Sequence, residues 1–182
     1  MSHIELSHPL PGIGGLLVTR QDTAGPLTDL AEMLLRTNAS ATFTSAEREM
    51  VAAYVSWLNE CVFCSESHAA AANHHAKNDQ FAQSVWSEQF QAPSARMEKL
   101  LVIAKKVQSM NFKSVSKADV EAAKELGATE KDIHDAVLIA AAFCMYNRYV
   151  DGLGTLCPPR NDQMYKMMGA ELADVGYKRT RL

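Results

Sequence analysis

At 182 residues the chain is long enough for one domain with its own hydrophobic core, and 47% hydrophobic with 21% charged residues excludes a disordered or fibrous protein. Lys plus Arg number 18 against 21 for Asp plus Glu, a net charge of -3, and the basic residues gather only in a short tail at Lys178, Arg179 and Arg181, which argues against nucleic acid as a partner. The first residues lack the positive and apolar regions of a secretion signal, and the longest apolar run, 136–146, is too short to cross a bilayer, so the expected location is the cytoplasm, with no membrane partner.

Taken in order, residues 1–26 hold Pro9, Pro11, Gly12, Gly14, Gly15, Gly25 and Pro26, a density that predicts an extended segment lying over the domain or a neighbouring subunit. Gly12-Ile13-Gly14-Gly15 is not a phosphate loop, because no strand precedes it and the glycine spacing is wrong. Pro26 suits the first turn of a helix over 27–36. Thr44 with Glu47 three residues later is a capping box, and Met50, Val51, Tyr54, Val55 and Leu58 follow at helical spacing up to Asn59. A second helix opens on Cys61-Val62-Phe63-Cys64 and runs to about Lys77, ending in a solvated His74-His75 pair. Asn78-Asp79 predicts a shorter helix to about Phe90.

Ser94 caps the next helix, in which Met97, Leu100, Leu101, Ala104 and Val107 form a stripe opposite Lys99, Lys105 and Lys106. Ser116 with Asp119 opens another that Gly127 closes, and Thr129 with Asp132 opens the last long one. From Ile133 to Val150 that helix is apolar on nearly every side, which predicts a central or intersubunit position. Arg148 and Asp151, at i and i+3, form the simplest ion pair within it, the alternative being that Asn147, Arg148 and Asp151 line the redox pocket of the Cys-x-x-Cys. A tail helix over 162–175 carries Met164, Met167, Met168 and Leu172, an apolar face expected to dock on a partner subunit. No window alternates as a strand between hairpin turns, so the fold class is all-α, with 1–182 as a single domain whose 158–182 segment is a helical tail.

In a reducing compartment four cysteines do not build a disulfide framework, and a Cys-x-x-Cys is catalytic or metal-binding instead. Cys61, Cys64 and His68 stand at i, i+3 and i+7, on one helix face, with the sulfurs close enough to pair. Orphan N–H groups and the macrodipole at a helix start favour a thiolate, His68 can take or return its proton, and Glu49 on the preceding helix can orient the imidazole. That is a dithiol redox centre. A zinc site is the competing assignment, but zinc takes four ligands and only Cys144, Cys157 and His134 remain, in unrelated contexts. Cys144 reads as a small core hydrophobe, His134 as a packing residue, and Arg48 as a solvated or intersubunit side chain.

Glu49, Cys61 twelve residues on, then Cys64 and His68 resemble the signature of the alkyl hydroperoxidase D group in the carboxymuconolactone decarboxylase superfamily. The segment from Pro11-Gly12-Ile13 to Leu35 and the stretch from Asp135 to Leu153 are similar to its peroxidase-related branch, so the resemblance spans nearly the whole chain. It implies an all-helical homo-oligomer, a dimer, trimer or hexamer. It also implies a thiol-dependent antioxidant peroxidase without a bound cofactor, reducing hydroperoxides and re-reduced by an external dithiol. It gives Cys64 the peroxide-attacking role, Cys61 the resolving role, and His68 with Glu49 the proton relay. Two positions depart from the pattern. Phe63 replaces a histidine of alkyl hydroperoxidase D, and Glu60 stands where a glycine is common, its charge opposing a thiolate at Cys61. The other assignments are a thiol-disulfide oxidoreductase or redox adaptor acting on a protein, and a structural metal-binding oligomer.

Overall fold

Each side-chain cap legible in the sequence opens a helix. The computed structural model describes residues 2–86, 90–109 and 115–178. Among them are eight α-helices and no strand: α1 (Ile13–Thr19), α2 (Gln21–Glu32), α3 (Ser45–Leu58), α4 (Val62–Ala76), α5 (Ala95–Gln108), α6 (Lys117–Glu125), α7 (Glu130–Gly152) and α8 (Gln163–Asp174). Reciprocal capping boxes start α3 at Thr44, α6 at Ser116 and α7 at Thr129, while Ser94 and Asp162 cap α5 and α8 through one side-chain bond each. Gly127, in the left-handed region at φ 88°, follows the end of α6.

The centre of the molecule is α3. Met50, Val51, Ala52, Ala53 and Val55 are fully buried between α4, α5 and α7, and Leu100, Leu101, Ile103 and Ile139 close over them. Removing each such side chain from water contributes about 1.5–3 kcal/mol, so this knot dominates the stability that locates the site. The apolar helix α7 packs one face on α3 and α5 and leaves Leu138 and Met145 exposed on another.

Four expectations are corrected. The stretch 1–26 is not extended throughout: α1 and the first half of α2 fall within this glycine- and proline-rich segment, because burial of Leu16, Leu17 and Ala24 outweighs weak local propensity. Pro26 sits inside α2 rather than in its first turn, where it removes one N–H from the ladder, and α2 then widens into a π turn over Met33–Thr37. After α4 the chain makes turns and a short 3₁₀ segment, Gln83–Val85, rather than a continuous helix; residues 87–89 of the expected helix lie outside the described residues. Finally, α8 docks on α4 of its own chain. A Cβ on Gly169 would stand 2.5 Å from Ala70, so the missing side chain sets this close crossing, and Met167 is left 66% exposed on the outer side.

Arg48, expected at the surface, is fully buried and fully partnered. Its guanidinium donates to Asp135 at 2.6 Å, to the Leu34 carbonyl at 2.7 Å and to the Phe43 carbonyl at 3.0 Å, tying the π turn, the loop that follows it and α7 to α3. A buried charge persists only where such acceptors surround it. No described helix is long and apolar enough to cross a membrane.

Candidate active site

The site is built on the corner between α3 and α4. The N–H groups of Asn59, Glu60 and Cys61 return to the carbonyls of Val55, Trp57 and Ser56, with Glu60 in the left-handed region at φ 61°. Asn147 of α7 holds this corner, accepting from Asn59 at 2.8 Å and donating to Ser56 at 3.0 Å. The turn leaves Cys61 as the residue that caps α4, and Cys64 as the third residue of that helix. The two cysteines are unlinked and 3.3 Å apart.

Their surroundings differ. Cys64 lies on the wall of a cavity of about 380 Å³ that Ser67, His68, Leu17, Leu27 and Phe143 also line. Cys61 is not on that wall: it has 0% exposure, and its sulfur meets Asp151 Oδ1 of α7 at 3.4 Å. A hydrogen bond to Cys64, then burial, then the charges of Cys64 and Asp151 push the Cys61 thiol far up, which favours its protonated form. The carboxylate that disfavours its thiolate is therefore Asp151, whereas Glu60 carries an exposed side chain. Burial in turn raises Asp151, with the Cys61 contact opposing.

One turn beyond Cys64, His68 places Nδ1 2.8 Å from Glu49 Oε2, as the sequence spacing predicts. The other Glu49 oxygen accepts from the Tyr177 hydroxyl at 2.5 Å, and that hydroxyl is 3.3 Å from His68 Nδ1. Burial, the Glu49 charge and the hydrogen bond hold Tyr177 well above the ordinary phenol value, so it remains a neutral donor. His68 meets Phe143 edge-on at 4.5 Å and stacks on Tyr177 at 6.0 Å, which fixes the ring. Leu10, Pro11, Ile13 and Gly14 line the cavity from the N-terminal side, and Gly12 turns the chain between them. Its φ of 55° admits glycine readily, and a Cβ there would overlap the Phe63 ring at 2.0 Å.

All four sequence candidates, Cys61, Cys64, His68 and Glu49, thus meet at one place. One residue at the site has no sequence signal: Tyr177, which follows the last helix. The Arg148–Asp151 pair does not form, since Arg148 turns to the Cys144 carbonyl at 2.7 Å; Asp151 instead faces Cys61, in line with the alternative placing for that residue. His134 is exposed rather than packed, His74 meets Asp174 at 3.0 Å, and burial lowers the pKa of His75. Cys157 is exposed, 3.8 Å from the Tyr165 hydroxyl. Among the described residues, no group of three or more His, Cys, Asp or Glu side chains is placed to hold a metal ion.

No family model matches the chain, and no curated protein matches it. Solved structures do. A peroxidase-related protein from Silicibacter sp. TM1040, uncharacterized, superposes with a TM-score of 0.74 at 24% identity over 86% of this chain and 78% of that one. An alkylhydroperoxidase AhpD core from Ralstonia eutropha JMP134, itself an uncharacterized peroxidase-related protein, gives 0.75 at 27% identity over 88% and 82%. The fold is the alkylhydroperoxidase D-like fold of the carboxymuconolactone decarboxylase superfamily. Within it this chain sets a Cys-x-x-Cys at the start of α4.

Proposed function

We propose that the protein is a thiol-dependent peroxidase in which Cys64 attacks the hydroperoxide. The observation that carries this reading is the division between the sulfurs: Cys64 shares a cavity wall with His68, and Cys61 lies off that wall, fully buried against Asp151. Cys64 Sγ, as thiolate, takes the terminal peroxide oxygen and becomes a sulfenic acid, while the O–O bond breaks and the leaving alkoxide takes a proton from His68, oriented by Glu49. Cys61 then displaces water from the sulfenic acid to form the disulfide, and an external dithiol restores both thiols as it is itself oxidised. The names of the two similar proteins support a peroxide-related activity. Burial of both sulfurs favours a small oxidant entering the cavity over a folded protein as first substrate. The reading includes action in the cytoplasm, and self-association through exposed apolar residues such as Leu138 and Met145 of α7.

Stopped-flow mixing of the reduced protein with hydrogen peroxide and with cumene hydroperoxide tests this directly. The expected result is loss of two thiols per peroxide, with a Cys61–Cys64 bridge in the peptide mass map. A bridge containing Cys144 or Cys157, or thiols that survive excess peroxide, would refute it.

A further inference from the structure

Resolution requires Cys61 to lose a proton, yet Cys61 is fully buried and is not on the wall that carries Cys64 and His68. The relay of His68, Glu49 and Tyr177 is assembled beside Cys64. Cys61 Sγ has one carboxylate against it, Asp151 Oδ1 at 3.4 Å, at the C-terminal end of α7. The Asp151 residue itself is exposed, so one of its faces meets the buried sulfur and another meets water.

We propose that Asp151 is the general base and proton outlet of the resolving step, taking the Cys61 proton as Cys61 Sγ bonds to Cys64 Sγ and passing it to solvent. The assignment rests on the peroxidase reading for the identity of the oxidant, but not for the bond it describes. During resolution the S–H bond of Cys61 breaks toward Asp151, the Cys61–Cys64 bond forms, and the S–O bond of the sulfenic acid breaks. The departing hydroxide leaves as water with a proton drawn from the cavity side. On re-reduction the external dithiol opens the disulfide, Cys61 departs as thiolate, and protonated Asp151 returns the proton. Burial raises the Asp151 carboxyl, which makes it a better acceptor than a free carboxylate. The charged and titratable neighbours leave the contact open. Cys61 is in front of Asp151, Arg148 on the same helix donates to the Cys144 carbonyl, and His3 stands beyond it at the turn, against Gly154.

The test is made on the full chain carrying Cys144→Ala and Cys157→Ala, mixed with dithiobis-nitrobenzoate. Attack by Cys64 releases one thionitrobenzoate and leaves the other bound; closure by Cys61 releases the second with loss of its proton. In Asp151→Asn the first release is expected at the parent rate and the second about 10²-fold slower, the usual contribution of a positioned base. Asp151→Glu is expected to restore most of the second rate. With hydroperoxide as oxidant, Asp151→Asn should accumulate a Cys64 sulfenic acid that dimedone traps. A second release at the parent rate overturns the assignment. So does equal slowing of both phases, or an Asp151→Asn protein that melts far below its parent, since Asp151 would then serve the fold. If the unsubstituted protein consumes no hydroperoxide while the second release still depends on Asp151, the peroxidase reading falls and the role of Asp151 stands.

Discussion

The Tyr177 hydroxyl donates to Glu49 Oε1 at 2.5 Å across 128 residues of chain, so the segment after α8 completes the partner set of a carboxylate in the middle of the core. Glu49 is fully buried and shares its two oxygens between Tyr177 and His68. Leaving a buried carboxylate one donor short costs about 1.5–3 kcal/mol. Tyr177→Phe, which keeps the ring stacked on His68, is expected to lower stability by that amount in urea unfolding. A loss below about 0.5 kcal/mol would mean that water replaces the phenol.

His68→Ala and Glu49→Gln are expected to slow oxidation of Cys64 by hydroperoxide by about 10²-fold or more, the ordinary contribution of a positioned proton carrier. Glu49→Gln keeps an oxygen for Tyr177, so its melting temperature should move by only a few degrees, about 2–4 °C for each kcal/mol in a chain of this size. Stopped-flow rates beside thermal melts separate the two effects. An unchanged rate in His68→Ala would make that ring a packing residue against Phe143.

Glu60 holds φ 61° with its side chain exposed, a conformation that costs an L residue about 1–2 kcal/mol. Glycine there gives back about 0.5–1 kcal/mol of that in unfolded-state entropy. Glu60→Gly is therefore expected to stabilise by about 0.5–1 kcal/mol, read as a higher urea midpoint at unchanged slope. A lower midpoint would show that the Glu60 side chain makes a contribution outweighing its strain.

Alkaline pH should destabilise the reduced protein. Burial pushes Tyr146 up to about 12 from an unfolded value of 10.0, and Tyr177 and Cys61 are raised as well. Because the folded state keeps these groups protonated, the Tyr146 contribution is complete below pH 10 and is lost as pH rises toward 12, an effect on the order of 1–3 kcal/mol. Urea midpoints between pH 8 and 11 check the slope, which Tyr146→Phe should flatten.

The parts of the fold legible in the sequence are those fixed by neighbours in the chain. Thr44, Ser94, Ser116 and Thr129 each announce a helix because a cap is a bond across three residues. The approach of Glu49 to His68 was legible through the twelve-residue interval from Glu49 to Cys61 that the resemblance supplies, for Glu49 alone reads as an ordinary helix carboxylate. What escaped depends on distant partners. Leu16 and Leu17 find a core that rescues a glycine-rich helix, and Arg48 finds two carbonyls and Asp135. Asp151 sits one turn from Arg148 yet faces Cys61, a choice that helical spacing does not decide.

The cavity beside Cys64 also governs traffic. Since Cys64 and not Cys61 forms part of its wall, the oxidant and the dithiol that undoes its work would use the same entrance and reach the same sulfur, one after the other. Neither can be held while the other reacts. Turnover would then alternate between two half-reactions, an excess of either visitor would exclude the other, and double-reciprocal plots taken at several dithiol concentrations would run parallel rather than converge.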